Sequence, residues 1–194
     1  MSFDVGAIRN IALVGHAGSG KTTLGEALLL KAGVTKRLGS VDDKSSILDH
    51  DEESRERKHS LDSSLFHIEH NNLELNFIDT PGLPDFCGPA MEALSAVETA
   101  AIVVSAVNGI GVNTRRMAKA AADFGLARFV VINKVGAENA NVEEVYNAIK
   151  ETFGSACHAI NLPADGGKKI INIYKETEGE SDLGDVGQAH QRGL

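Results

Sequence analysis

The chain has 194 residues, with 19 Lys plus Arg against 27 Asp plus Glu, so its formal net charge at pH 7 is −8. This acidic balance argues against broad nonspecific binding to nucleic acid, and we expect no direct DNA binding. No run approaches the ~18 consecutive apolar residues of a membrane span, and the N-terminus lacks the basic-then-apolar pattern of a secretory signal. Two cysteines, Cys87 and Cys157, match neither a disulfide framework nor a metal cluster. We therefore expect a cytoplasmic protein that does not engage membranes.

The first predicted elements are a strand, a helix and a long loop. Residues 8–14 form a nearly continuous apolar run, typical of a buried strand in a parallel sheet. Residues 22–32 have helical spacing and end before Gly33, a common helix stop. Residues 36–62 are polar and dense in charge, without a clear period, and predict a loop.

The remaining elements alternate between strands and helices. Two partly alternating runs, 64–70 and 73–78, flank Asn71-Asn72 and predict an antiparallel hairpin. Further strands are predicted at 100–107 and 127–132, and helices at 112–124 and 141–153. This order predicts an α/β fold with a mostly parallel sheet covered by helices on both faces. Beyond Gly154, short strands are predicted at 158–162 and 170–174, and residues 176–193 show no strong apolar period.

Residues 15–22 (GHAGSGKT) match the phosphate-binding pattern G-x-x-x-x-G-K-[S/T] between a predicted strand and a predicted helix. Glycines let successive backbone amides face a phosphate, and the helix N-terminus favours anions. The Lys21 side chain would reach the β- and γ-phosphates, and the Thr22 hydroxyl would take one magnesium position. The pattern predicts nucleoside triphosphate binding without choosing between ATP and GTP. The residues predicted to line this site are Gly15, His16, Ala17, Gly18, Ser19, Gly20, Lys21, Thr22 and Thr23.

Residues 79–82 (DTPG) predict a second phosphate and metal contact, because they follow the strand expected beside the first one. The Asp79 carboxylate would complete the magnesium shell, and the Gly82 backbone N–H would meet the γ-phosphate. Thr80 and Pro81 belong to the same predicted contact.

Three segments, GHAGSGKTTL, DTPGLPDF and VVINK, together resemble the GTPase domain of translation elongation factor G, and more narrowly its elongation-factor-G-like bacterial branch. The resemblance covers about residues 8–162 in good register and continues more weakly to 194. It implies a P-loop NTPase fold of the translational GTPase type, with GTP, GDP and Mg²⁺ as ligands. It also implies GTP hydrolysis coupled to a ribosomal step in translocation, so the ribosome is the expected partner of the intact protein.

The resemblance assigns further residues. The charged stretch 48–63 matches the family's first switch region, and Ser60 falls where the family has a threonine that reads the γ-phosphate and magnesium. Asn133 and Lys134 match the start of the base-reading motif Asn-Lys-x-Asp. The catalytic residues so implied are Lys21, Ser60 and Gly82, and the implied metal ligands are Thr22, Ser60 and Asp79.

Two positions depart from the family pattern and leave alternatives open. Leu83 stands where the family has a histidine that positions the attacking water, and leucine neither donates nor accepts a hydrogen bond. Gly136 stands where a carboxylate would accept from the guanine ring, so discrimination for guanine should weaken. One alternative is a guanine-nucleotide-binding module with little or no GTPase activity. A P-loop ATPase of another class is less consistent with Asn133-Lys134 and with residues 79–82.

The resemblance also implies a domain organisation. Residues 1–157 correspond to the core of the GTP-binding domain, and residues 158–194 resemble the start of a subdomain that the family inserts after it. We therefore expect the chain to be a truncated part of a longer factor.

Overall fold

The computed structural model describes residues 4–41, 43, 45–48, 60–154 and 156–193. Its strands are β1 (Ile8–Gly15), β2 (Ser64–His70), β3 (Leu73–Asp79), β4 (Thr99–Ser105), β5 (Ala127–Asn133), β6 (Asn161–Ala164), β7 (Lys169–Asn172), β8 (Glu180–Ser181) and β9 (Gly184–Asp185). Its α-helices are α1 (Lys21–Lys31), α2 (Cys87–Ser95), α3 (Val112–Asp123), α4 (Val142–Phe153) and α5 (Val186–Gly193). Short 3-10 turns lie at Val5–Ala7 and Pro84–Phe86.

A five-stranded sheet in the order β2-β3-β1-β4-β5 organises the fold. β1 runs parallel to both β3 and β4, whereas β2 pairs antiparallel with β3. The predicted strands and helices up to residue 153 are confirmed, with boundaries shifted by one or two residues. Six consecutive residues of β4 are buried, as the apolar run predicts for a central strand.

The β2–β3 hairpin turns where the sequence predicts. Asn71 (φ 51°) and Asn72 (φ 61°) both adopt left-handed backbone, which a two-residue turn of this kind requires and which asparagine tolerates. The resulting register pairs Ser64 with Asp79, which fixes the end of β3.

A hydrophobic cluster packs α1 against the sheet. It contains Leu13, Leu29, Leu48, Phe66, Ile68, Phe77 and Ala101. The rings of Phe66 and Phe77 are stacked with 4.9 Å between centroids. Leu48 comes from the predicted loop and is nonetheless 2% exposed, so at least this part of the loop is packed into the core.

The chain divides into two compact units, the first formed by Met1–Val104 with Gly111–Val131 and the second by Ser105–Ile110 with Ile132–Leu194. In the second unit, the Asn141 side chain caps α4: its Oδ1 accepts from the Glu144 amide at 3.2 Å and its Nδ2 donates to the Glu144 carboxylate at 2.6 Å. No helix in the described part of the chain combines the length and the apolar character needed to cross a bilayer.

The end of the second unit is more ordered than the sequence predicts. The predicted strands at 158–162 and 170–174 occur as the antiparallel pair β6 and β7, at 161–164 and 169–172. Residues 176–193, for which no element was predicted, contain β8, β9 and α5. A small apolar cluster explains this order, because widely spaced residues complete it: Leu162, Ala164, Ile171, Ile173 and Val186.

Candidate nucleotide-binding site

The predicted phosphate loop connects β1 directly to α1. Gly18 (φ 73°) and Gly20 (φ 90°) adopt left-handed backbone, which glycine accepts without strain. Gly20 is the N-cap of α1 and offers no side chain to the first amides of the helix. The loop therefore presents main chain rather than side chains at a helix N-terminus, which is the arrangement that favours phosphate.

Lys21 lies under this loop with only 6% of its surface exposed. Its Nζ donates to the carbonyl oxygens of His16 at 3.2 Å and Gly15 at 3.4 Å. Burial lowers the pKa of this ammonium group, and the negative charge of Asp79 partly offsets that effect. An anion placed beside Nζ would favour the charged form, so the buried lysine is suited to a phosphate ligand.

Three side-chain oxygens converge at the start of α1. The Thr22 hydroxyl donates to Asp79 Oδ2 at 2.6 Å and lies 3.4 Å from the Ser60 hydroxyl. Asp79 is 2% exposed. Thr80 follows it and donates from its hydroxyl to the Leu13 carbonyl of β1 at 2.7 Å. Hydroxyl and carboxylate oxygens are ligands that Mg²⁺ prefers, and one carboxylate with two hydroxyls leaves positions for phosphate and water.

Gly82 lies directly against the phosphate loop. A Cβ atom on this residue would fall 2.6 Å from the Ala17 amide nitrogen and 2.6 Å from Lys21 Nζ. Only a residue without a side chain fits there, and Pro81 beside it is buried. The structure thus brings the predicted segment 79–82 onto the predicted phosphate loop.

The sequence analysis missed two residues of α3 that hold these segments. The fully buried Asn113 donates from Nδ2 to the Gly82 carbonyl at 3.0 Å, and Thr114 Oγ1 accepts from the His16 amide at 3.2 Å. The sequence signal for these two residues is their spacing from Met117: three and four positions before it, they share the buried side of an amphipathic helix. Polar residues on such a face need partners, which here are the two loops.

His16 is a predicted lining residue of the phosphate site, and Leu83 stands at the position where the family has a water-positioning histidine. The His16 ring packs against the backbone at Gly111, where a Cβ atom would fall 2.6 Å from His16 Cγ. The half-buried Leu83 precedes the turn Pro84–Phe86.

The predicted base-reading residues belong to the second unit. Asn133 ends β5, its carbonyl accepts from the Ala106 amide at 2.8 Å, and its Oδ1 accepts from the Lys134 amide at 2.8 Å. Lys134 has left-handed backbone with φ 62°. The turn between β6 and β7 packs on the next residues, since a Cβ atom on Gly167 would fall 2.5 Å from the Val135 carbonyl oxygen.

The predicted first switch region, 48–63, is described only in part. Leu48 and residues 60–63 are described, whereas residues 49–59 lie outside the described residues.

Residues 6–187 match the family model of the elongation factor Tu GTP binding domain, and the chain therefore belongs to this family of translational GTPases. It is 35% identical over 162 residues to the elongation factor G-like protein of Mycobacterium tuberculosis, covering 84% of this chain and 23% of that protein. It is 31% identical over 175 residues to peptide chain release factor 3 of Listeria innocua, covering 88% of this chain and 34% of that protein. The chain thus spans about a quarter to a third of the length of these curated relatives.

Two solved structures share the fold of this chain. A crystal structure of a Thermus thermophilus protein superimposes with a TM-score of 0.86 at 31% identity, covering 97% of this chain and 31% of that one. Translation elongation factor SelB of Methanococcus maripaludis, solved with the GTP analogue GPPNHP, shares the fold with a TM-score of 0.57 at 22% identity, covering 78% of this chain and 27% of that one. The predicted P-loop NTPase fold and the resemblance to the elongation-factor-G-like branch are confirmed, and the chain is a GTP-binding domain of the translational GTPase family.

Proposed function

We propose that residues 15–23 and 79–82 bind the phosphates of GTP and GDP together with Mg²⁺. The observation that carries this proposal is the 2.6 Å hydrogen bond from the Thr22 hydroxyl to Asp79, beside the buried ammonium group of Lys21. This bond joins the Thr22 hydroxyl, at the start of α1, to the Asp79 carboxylate, at the end of β3. This is the oxygen pair that a magnesium ion needs next to a triphosphate.

Each residue has a role that its surroundings support. Lys21 and the loop amides would stabilise phosphate charge, and the Gly82 amide would contact the γ-phosphate. Thr22, Asp79 and Ser60 would hold Mg²⁺, which when bound neutralises charge on the β- and γ-phosphates. The remaining residues of the proposed phosphate site shape the backbone or flank it: Gly15, His16, Ala17, Gly18, Ser19, Gly20, Thr23, Thr80 and Pro81.

Asn133 and Lys134 are the residues that we propose for the guanine base. Asn133 ends β5 and Lys134 follows it, in the position that the family resemblance assigns to base recognition. Gly136 supplies no carboxylate for the guanine N–H donors. Binding of guanine nucleotides should therefore be less selective than a carboxylate at that position would make it.

Hydrolysis of GTP to GDP and phosphate is the reaction that we propose for the intact protein. Water would attack the γ-phosphate while Lys21, Ser60 and Gly82 stabilise or orient the reacting groups. A second candidate function is a nucleotide-binding switch with little turnover. It is favoured by Leu83, which places an apolar side chain where the family orients water.

The intact protein would use this domain in a ribosomal step of translation, in the cytoplasm. Its relatives include an elongation factor G-like protein and a peptide chain release factor, which supports a ribosomal partner without selecting the step. We also propose that residues 1–157 form the GTP-binding core and that residues 158–194 belong to a subdomain inserted after it.

Replacement of Lys21 by alanine tests the phosphate site. Removing one partner of a buried charged contact costs about 2–5 kcal/mol, so GDP binding should weaken at least ~30-fold. Calorimetric titration with GDP and ADP is the measurement, and thermal unfolding checks the fold. The matched control is Lys31→Ala, an exposed lysine at the other end of α1. Unchanged GDP affinity in the Lys21→Ala protein would refute the phosphate assignment.

The substitution Gly136→Asp tests the base-reading position. A Cβ atom at Gly136 would have Gly167 O as its nearest neighbour, 3.7 Å away, which is ordinary van der Waals contact. A charge-assisted hydrogen bond of ~1.5–3 kcal/mol should tighten GDP about ten- to a hundredfold and leave ADP unchanged. Gly136→Asn, similar in size but uncharged, should give a smaller gain. Equal changes for GDP and ADP would show that residue 136 does not read the base.

The substitution Leu83→His tests what limits hydrolysis. A correctly placed histidine contributes ~10²–10⁴-fold, so single-turnover phosphate release at saturating GTP by the intact protein should rise in the presence of ribosomes, with little change in this chain alone. Leu83→Gln is the control for polarity without a titratable ring. Rapid hydrolysis on ribosomes by the Leu83 protein itself would show that another group orients the water.

A further inference from the structure

Glu26 is a fully buried carboxylate in α1, although its place in a helix next to a charged loop is typical of a surface residue. It is 0% exposed. Burying a carboxylate is costly unless hydrogen-bond donors surround it. The donors identify what this residue does.

All the donors come from residues 46–48, which include the first residue of the predicted first switch region. Glu26 Oε1 accepts from the Ser46 hydroxyl at 2.8 Å, from the Ile47 amide at 2.5 Å and from the Leu48 amide at 3.1 Å. The other oxygen, Oε2, accepts no hydrogen bond from any described residue. It fills the space beside Gly39, where a Cβ atom would collide with it.

Leu48 is fixed from its other sides as well. Its carbonyl accepts from the Ser64 hydroxyl at the start of β2. Its side chain packs in the cluster that includes Leu29 and Phe66. Gly25 makes room for it, because a Cβ atom there would fall 2.6 Å from Leu48 Cδ1.

Glu26, which anchors residues 46–48, and Thr22 of the proposed metal site lie on the same face of α1. Thr22 and Glu26 are four residues apart, so their side chains point to the same side of the helix. Thr22 meets Ser60 at 3.4 Å, and Glu26 holds residues 46–48. One helical face therefore contacts the chain on both sides of residues 49–59.

We propose that Glu26 is a positioning residue for the triphosphate form: by fixing residues 46–48 to α1, it keeps Ser60 within reach of Thr22. This inference rests on the proposed function, which assigns Ser60 to the γ-phosphate and magnesium. A fixed starting point reduces the entropy that the chain loses when Ser60 docks. GDP has no γ-phosphate for Ser60 to contact, so its affinity should depend on this docking much less than the affinity for a triphosphate.

The substitution Glu26→Ala separates the two nucleotides. If the docked arrangement falls to about a tenth of its population, the apparent affinity for GppNHp weakens about tenfold. The affinity for GDP should change less than about twofold. Fluorescent GDP and GppNHp are titrated into the full chain in MgCl₂. Glu26→Gln keeps the acceptor oxygen and should restore most of the GppNHp affinity.

A second pair of variants covers the case in which Glu26→Ala does not fold. Ser46→Ala removes one donor to Glu26 and should weaken GppNHp selectively, by about two- to tenfold. Its matched control is Ser45→Ala, since the Ser45 hydroxyl accepts from the Ser40 amide instead. Equal loss of GDP and GppNHp in the Glu26 or Ser46 variants, or no loss of either, would overturn the proposal.

Amide hydrogen exchange tests the anchor without nucleotide. Exchange at Ile47 and Leu48 should accelerate in Glu26→Ala and stay slow in Glu26→Gln and Ser45→Ala. Unchanged exchange in Glu26→Ala would contradict the anchor itself. A wild-type chain that binds neither nucleotide but shows the expected exchange would instead count against the proposed function.

Discussion

The register between β1 and β3 is the constraint on which the candidate site depends. The two strands are parallel, and Leu13 of β1 lies opposite Asp79 of β3. Parallel strands end at the same edge of a sheet, so the phosphate loop and segment 79–82 emerge side by side. A shift of one residue would turn Asp79 to the other face and break its hydrogen bond to Thr22.

The contacts around this pair hold the two loops in place. Thr80 ties the end of β3 to β1, Asn113 holds the Gly82 carbonyl, and Thr114 holds the His16 amide. The buried Lys21 lies between the two loops. Burial lowers the pKa of its ammonium group, and a bound anion would stabilise the charged form. Main-chain positions set by buried side chains are suited to a ligand with fixed geometry, such as a polyphosphate.

The sequence predicts the parts of the molecule that local patterns determine. Apolar runs identified the central strands, Asn71-Asn72 identified the hairpin, and residues 15–22 identified the phosphate loop by residue type and spacing. The parts it did not predict depend on long-range partners. Glu26 bonds to residues about twenty positions away, and Asn113 to Gly82 across 31 positions. The elements in 176–193 form because Val186 completes a cluster with Leu162 and Ile171.

Members of the family share the fold of the GTP-binding domain. The chemistry that we propose for this chain depends in addition on individual residues. Relatives at 31–35% identity include an elongation factor G-like protein and a peptide chain release factor, so the domain alone does not select a ribosomal step. Leu83 and Gly136 bear on water orientation and base recognition. Both are proposed to weaken one property of the site without disturbing the phosphate loop.

Magnesium-dependent GDP binding by the wild-type chain and by Asp79→Asn tests the central claim most directly. Asparagine keeps the size of the side chain but removes the charge that would help to hold Mg²⁺. Calorimetric titrations with MgCl₂ and with EDTA should show tighter GDP binding with Mg²⁺ in the wild type. The Asp79→Asn protein should lose that gain and keep its affinity in EDTA. An equal gain from Mg²⁺ in both proteins would contradict the proposed metal site at Thr22 and Asp79.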